Sequence, residues 1–365
     1  MALGGGNFTL QNKALPGAYI NFVSSKNANA ALSDRGIATM PLELDWGIED
    51  KVFEISNEQF QKDSFKLLGY EYSNDKLKGL RDLFKNIKTL YAYRLNGGGT
   101  KASNAFASAR YGGLRGNDIK IVIKANVDTP SKYDVSTYVG AVKVDTQTVE
   151  QPTELTDNDF VTFKSDSTLA ATAGTPLTGG TNKTIDGSAH QEYLKKIESY
   201  SFNVMGIVAT DNTIKGLYEN FCKRLRDDAG VKFQLVLFNK ASDYEGVINI
   251  KNKVADAGTN EASLVYWVTG IAAGCAVNKS NSNREYDGEF NIETNYTQSE
   301  LENSIKSGEF VLHQVNSSIR VLEDINSLVS VTEEKGDVFK DNQTIRVIDQ
   351  IANDIAVLFT TKYLG

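Results

Sequence analysis

The feature that most constrains this chain is a change of pattern at Asn96-Gly97-Gly98-Gly99-Thr100. Before it, helical and extended patterns alternate. Ser56-Asn57-Glu58-Gln59 has the form of a capping box, and the helix it opens runs through Leu68 and stops at Gly69. A second helix from Asp75 to Ile87 puts Leu77, Leu80, Phe84 and Ile87 on one face, and Leu90–Leu95 reads as a buried strand. After the glycines, from Lys101 to Ile185, helical periodicity fades beyond Arg110, and Thr, Val, Gly and Asp dominate. Ile119, Ile121, Ile123, Ala125 and Val127 alternate with Lys120, Val122, Lys124 and Asn126, which predicts a half-exposed strand. Tyr138–Val144 and Phe160–Lys164 are expected as further strands, and Ala170–Asn182 as a loop or linker. Such a pattern predicts a small β domain inserted into an α/β host.

The host rhythm resumes at His190. A helix through Tyr200 (Tyr193, Leu194, Ile197) leads to a strand at Asn203–Thr210, and the next helix carries Leu217, Tyr218, Phe221, Cys222 and Leu225 on one stripe. A strand at Val231–Phe238 follows, and Ala262–Val277 is apolar nearly all round, as in a helix buried on several sides. Thr297-Gln298-Ser299-Glu300 is a second capping box, opening a helix to Ser307. Phe310–Gln314 and Ile319–Glu323 flank Val315–Ser318 as a hairpin, and a last helix, Thr344 to Phe359, aligns Ile345, Ile348, Ile351, Ile355 and Leu358. All five prolines lie in the first half, so the second half is expected to be the more regular. The fold class expected is an α/β (α+β) core domain with a mixed or mostly parallel sheet covered by helices, plus an inserted all-β domain of sandwich or barrel type. The chain divides into a leader with its first strand at 1–25, core at 26–98, insertion at 99–186 and core again at 187–365. Gly97, Gly98 and Gly99 are the candidate domain hinge.

The leader raises a question of pairing. Behind Met-Ala-Leu-Gly-Gly-Gly comes Leu15-Pro16-Gly17-Ala18-Tyr19-Ile20-Asn21-Phe22, where Pro16-Gly17 sets a turn. Ala18, Ile20 and Phe22 alternate with Tyr19, Asn21 and Val23, which suits an extended strand. A lone strand behind a flexible leader needs a partner.

Composition removes several functions. The length of 365 residues, 41% of them hydrophobic, allows two or three compact units. With 39 Lys+Arg against 46 Asp+Glu, a formal balance of -7, and no basic block, wrapping nucleic acid is a poor prospect. No signal peptide is evident, and no apolar run approaches the ~20 residues of a membrane helix. Cys222 and Cys275 sit in helix-like apolar patterns and are expected as buried free thiols. His190 and His313 each stand alone, without Cys or His at metal-ligand spacing, and a structural or surface role is the better reading for both. No Gly-x-Ser-x-Gly elbow occurs. Gly97-Gly98-Gly99-Thr100-Lys101-Ala102-Ser103 has the wrong spacing for a phosphate loop. Asp211, after the 203–210 strand, stands where α/β enzymes often keep a ligand-contacting acid, and is as well explained as a helix cap. Glu333-Glu334 and Asp227-Asp228 read as solvated faces. No cofactor is indicated, an enzyme is not expected, and function is expected to reside in surfaces.

Three stretches together resemble one family. Leu15–Phe22 resembles the opening segment of contractile tail sheath proteins. Ala109-Arg110-Tyr111-Gly112-Gly113-Leu114-Arg115-Gly116-Asn117, running on to Ile123, is similar to the Gly-x-x-Gly-Asn-x-Ile-x-Val signature at the start of the family's β domain. Ile319–Leu328, Asn342–Asp349 and the closing Tyr363-Leu364-Gly365 resemble its late core. The variety most resembled is the sheath of bacteriophages and phage-tail-like bacteriocins of Gram-positive bacteria. The resemblance implies a structural subunit of stacked rings around an inner tube, contracting to drive that tube through a cell envelope. It implies as partners other copies of the chain, the inner tail tube protein, and baseplate and tail terminator proteins. It implies a place in the virion tail or bacteriocin particle, assembled in the bacterial host cytoplasm, with no nucleic acid and no membrane insertion. Terminal strands in such arrays join the sheets of neighbours, so Leu15–Phe22 is read as an intersubunit strand, with an edge strand of its own subunit as the other reading. Relatives continue beyond the Tyr363-Leu364-Gly365 position into a small module and C-terminal arm, so this chain alone is expected to stay monomeric or weakly associated. The exposed-looking cluster Lys223, Arg224, Arg226, Asp227 and Asp228 is read as a solvated helix end, with inter-ring contact as its other reading. Two rival classes stay open: an α/β enzyme with an inserted β domain acting on a nucleotide or sugar, which would need a deep polar pocket at the ends of strands 203–210 and 231–238, and a cell-surface binding module.

Overall fold

The computed structural model describes residues 35–362. The strand expected at Leu15–Phe22 and the closing Tyr363-Leu364-Gly365 lie outside the described residues.

Local signals place the first helix where the sequence puts it. The Gln59 amide donates to Ser56 Oγ and the Ser56 amide donates to Gln59 Oε1, opening α1 (Asn57–Leu68), and Gly69, in the left-handed region at φ 80°, ends it. The second helical stretch begins as a 3-10 turn at Asp75–Leu77 and continues as α2 (Lys78–Phe84), which stops before Ile87. Two strands precede or flank these, β1 (Ile37–Leu42) and β2 (Phe53–Ser56), and β3 (Thr89–Arg94) follows. Neither β1 nor β2 is anticipated above. β1 is buried along nearly its whole length, so it lacks the alternation that marks a half-exposed strand.

The second half of the core supplies α3 (Gly187–Ile197), β10 (Val204–Gly206), α4 (Asn212–Lys223), β11 (Gln234–Phe238), β12 (Val247–Ile250), α5 (Leu264–Gly274), α6 (Gln298–Lys306) and β13 (Glu309–Phe310). Seven strands form one sheet in the order β13-β12-β11-β10-β1-β3-β2. Every pair is parallel except β2 with β3. Sheet side chains alternate between two cores. Val236 and Phe238 face the core shared with α2 and α5, while Leu235 and Leu237 face the one shared with α3 and α4. α5 packs on β1, β10 and β11 on one side and on α2 on another, so it is apolar nearly all round and its Trp267 is wholly enclosed.

The insertion is built from β4 (Ala107–Ala109), β5 (Ile119–Ala125), β6 (Tyr133–Val139), β7 (Val142–Val149), β8 (Val161–Phe163) and β9 (Thr172–Pro176). Four strands pair as β7-β6-β5-β9 and two as β4-β8, all antiparallel. Two expectations are corrected here. Tyr138–Val144 is not one strand, because Gly140 at φ 61° turns the chain and splits it between β6 and β7. Ala170–Asn182 is not merely a loop, because Thr172–Pro176 pairs with β5 despite its Gly and Pro, as an edge strand can.

Late in the chain, β14 (Leu312–Val315) and β15 (Ser318–Val321) form the expected hairpin, with Asn316 at φ 52° in its turn. Phe310 belongs to the main sheet through β13 rather than to the hairpin. The final helix, α7, spans Asn342–Lys362.

Candidate assembly surfaces

Arg94, the last residue of β3, is 1% exposed and fastens the insertion to the core. Its Nε donates to Leu44 O at 2.9 Å and Asn96 Oδ1 at 3.2 Å. Nη1 donates to Gly112 O at 2.9 Å and to Gly47 O and Glu49 Oε1, both at 3.3 Å, and Nη2 reaches Asn182 Oδ1 at 3.2 Å. One planar fork therefore ties core residues to both ends of the insertion. Burial pulls the guanidinium below its ordinary pKa, with Glu49 and Asp45 opposing. Asn182 also donates to Asp45 Oδ1 at 2.8 Å, and Tyr70 donates to Asp45 Oδ2 at 2.8 Å. Burial would raise the Asp45 carboxyl, but the hydrogen bonds from Asn182 and Tyr70 and the nearby Lys76 hold it below the ordinary carboxylate value.

Apolar contacts reinforce the seam. Trp46 leaves the core side and joins the hydrophobic cluster of the insertion, packing edge-on against Tyr111 at 5.3 Å and stacking with Phe160 at 5.8 Å. At Gly99 an added Cβ would lie 1.9 Å from Thr181 O, so the two ends of the insertion approach closer than any side chain allows. Gly97 packs against Glu49 and Arg94, whereas at Gly98, φ 78°, an added Cβ would meet only the Lys183 side chain, at 4.0 Å. At two of the three candidate hinge positions the glycines thus serve close approach.

A second cluster roots α7. Arg226 and Asp349 form a buried ion pair at 2.6 Å, and Arg346 and Asp324 another at 2.7 Å. Within the cluster read as a solvated helix end, Arg226 is therefore the exception, whereas Arg224, Asp227 and Asp228 are exposed as that reading expects. Arg226 is buried, Asp227 accepts from Tyr244 Oη at 2.7 Å, and Arg224 pairs with Glu198 at 2.7 Å. Beyond this root the stripe aligned from Ile345 changes character. Ile345 is buried, but Ile351 and Ile355 are 54% and 61% exposed, and Ile348 is exposed as well. Periodicity gives a helix its apolar face without saying what covers that face.

The remaining candidates have internal partners. His190 Nδ1 lies 2.9 Å from Tyr218 Oη, and burial lowers its pKa. Burial likewise lowers that of His313, on β14. Asp211 Oδ1 accepts the amides of Thr213 and Ile214 at 2.7 and 3.0 Å, so it caps α4, and those bonds hold its carboxyl below the ordinary value. Cys222 and Cys275 are buried and free, and burial pushes the Cys222 thiol up to about 12. An open cleft of about 390 Å³ at the carboxyl ends of β1 and β10 includes His190 and Asp211 in its lining, each already committed to these structural bonds. Among the described residues no group of three or more His, Cys, Asp or Glu is placed to hold a metal ion. Among the described residues, no helix is long and apolar enough to cross a membrane.

Among the described residues the distinctive features are seams and surfaces, and comparison with known proteins gives the class, a tail sheath protein. Residues 35–95 match the domain III N-terminal region of tail sheath protein Gp18, residues 97–182 the phage tail sheath protein beta-sandwich domain, and residues 183–327 the phage tail sheath protein central domain. The chain belongs to the phage tail sheath protein family. It is 35% identical over 382 residues to the phage-like element PBSX protein XkdK of Bacillus subtilis, covering 97% of this chain and 81% of that protein. The sheath tail protein of Desulfitobacterium hafniense is similar in structure, with a TM-score of 0.86 and 40% identity over 95% of this chain and 84% of that one. The contracted helical sheath of the anti-feeding prophage shares the fold at a TM-score of 0.50 and 12% identity, covering 95% of this chain and 76% of that one.

Proposed function

We propose that this chain is a building block of a contractile tail sheath, which surrounds an inner tube and shortens to drive it through a target envelope. The observation that carries this reading is the ordered match of three sheath regions across residues 35–327. Its partners are other copies of itself in stacked rings, the inner tail tube protein, and the baseplate and tail terminator proteins. Its place is the virion tail or bacteriocin particle, assembled in the host cytoplasm.

Leu15–Phe22 is the strand by which one subunit joins the sheet of a neighbour. Strand addition suits a moving array: each main-chain hydrogen bond contributes about 1 kcal/mol net, and several in register hold a link that tolerates side-chain change. The extended array is metastable, and a small free-energy difference per subunit, summed over coupled copies, drives contraction. The Arg94 seam fits this role, because force passes between core and insertion only if the joint is stiff. Glycines 97–99 are accordingly a close-packed junction, with Gly98 the least crowded of the three.

The test is electron microscopy of the native particle with antibody against this chain. Label along a helical sheath that shortens on triggering is expected. Particles whose sheath carries no label would overturn the reading.

A further inference from the structure

The chain enters the described fold at Arg35, and its position there bears on the open face of α7. Arg35 Nε donates to Cys275 O at 2.8 Å and Nη2 to Ala272 O at 3.0 Å, at the end of α5. Just beyond, Lys279 O accepts from Arg346 Nη2 at 2.9 Å, in the root of α7. Arg35, where the described chain begins, therefore lies beside the root of α7. From Asp34 back to Phe22 is twelve residues, a reach of up to roughly 40 Å. Arg346 to Ile355 covers about 14 Å of helix.

The two segments also match in chemistry. Residues 24–34 read Ser-Ser-Lys-Asn-Ala-Asn-Ala-Ala-Leu-Ser-Asp, polar or small but for one Leu, whereas Leu15–Val23 is the densest apolar stretch of the leader. An extended chain repeats same-side residues every ~6.6 Å. Ile351 and Ile355 follow each other about 6 Å apart along the helix axis. Alternate side chains Ala18, Ile20 and Phe22 can thus run along the ridge formed by Ile348, Ile351 and Ile355.

We propose that in the free subunit Leu15–Phe22 docks on the Ile348–Ile351–Ile355 face of α7 in its own chain. Docking withholds the strand, so a subunit binds a neighbour only when that neighbour's sheet edge displaces it from α7. The meaning for assembly rests on the sheath reading, whereas the docking does not, and it is measured in the isolated chain.

Trypsin cleavage after Lys26, followed by mass spectrometry at low micromolar concentration, tests the docking. Ile351→Asp/Ile355→Asp and, separately, Phe22→Ser are each expected to speed cleavage about tenfold, equally after tenfold dilution. Circular dichroism establishes that the helix variant is folded, and Phe22→Ser carries the test alone if it is not. Rates within twofold of the unaltered chain for Phe22→Ser, or for a folded helix variant, overturn the proposal. So does protection lost on dilution, which would make a second copy the occupant.

Discussion

The Arg226 guanidinium and the Asp349 carboxylate meet as a buried fork, Nη1 to Oδ2 at 2.6 Å and Nη2 to Oδ1 at 2.9 Å, across 123 residues of sequence. Nη1 also donates to Phe233 O at 2.5 Å. The fork pins α7 to the turn that ends α4 and to the start of β11. Burial opposes the charge on Arg226, yet the facing carboxylate holds its pKa above the ordinary value.

Removing one member of that pair leaves the other charged and dry. Asp349→Ala or Arg226→Ala is expected to lose about 3–5 kcal/mol in urea unfolding. The double change Arg226→Met/Asp349→Leu should lose far less than the sum. A near-additive double variant would mean that the two groups are not coupled.

Arg94→Lys keeps the charge and discards the fork. A point ammonium cannot reach carbonyls and amides on several sides at once, so the change is expected to cost about 2–4 kcal/mol. Hydrogen exchange should rise on both sides of the seam, around Gly47 and Gly112, while the β5–β6 ladder stays protected. Uniform exchange across the chain would contradict a local weld.

The glycines at the junction should not respond alike. Gly99→Ala drives a methyl into Thr181 O and is expected to cost about 3 kcal/mol. Gly98→Ala makes only an ordinary contact with the Lys183 side chain and suffers chiefly from the left-handed backbone, about 1 kcal/mol. Equal losses by denaturant titration would favour a flexing role for the whole run.

His190 gives a pH signature. Its folded pKa lies below the ordinary value of 6.5 because burial disfavours the imidazolium, with Asp186 only partly opposing. The unfolded chain therefore binds the proton first, and stability rises with pH. The contribution is complete above about pH 6.5 and is lost as pH falls through the depressed folded value. Melting temperatures at pH 7.5 and 5.5 should differ less in His190→Gln than in the unaltered chain.

The sequence by itself determined what is local. Ser56 with Gln59, and Thr297 with Glu300, cap their helices through bonds spanning three residues, so their partners are legible in one glance. The insertion was legible too, because helical period gives way to strand alternation over a long stretch. Only the tertiary structure decided what depends on distant partners. Thr172–Pro176 becomes a strand because β5 offers it an edge. β1 finds its place through β3 and β10 and shows no alternation of its own. Arg226 reads as one more surface charge until Asp349 arrives to neutralise it. Residue type and spacing fix the bonds a segment can make with itself, whereas a non-local contact exists only once the whole chain has brought its two halves together.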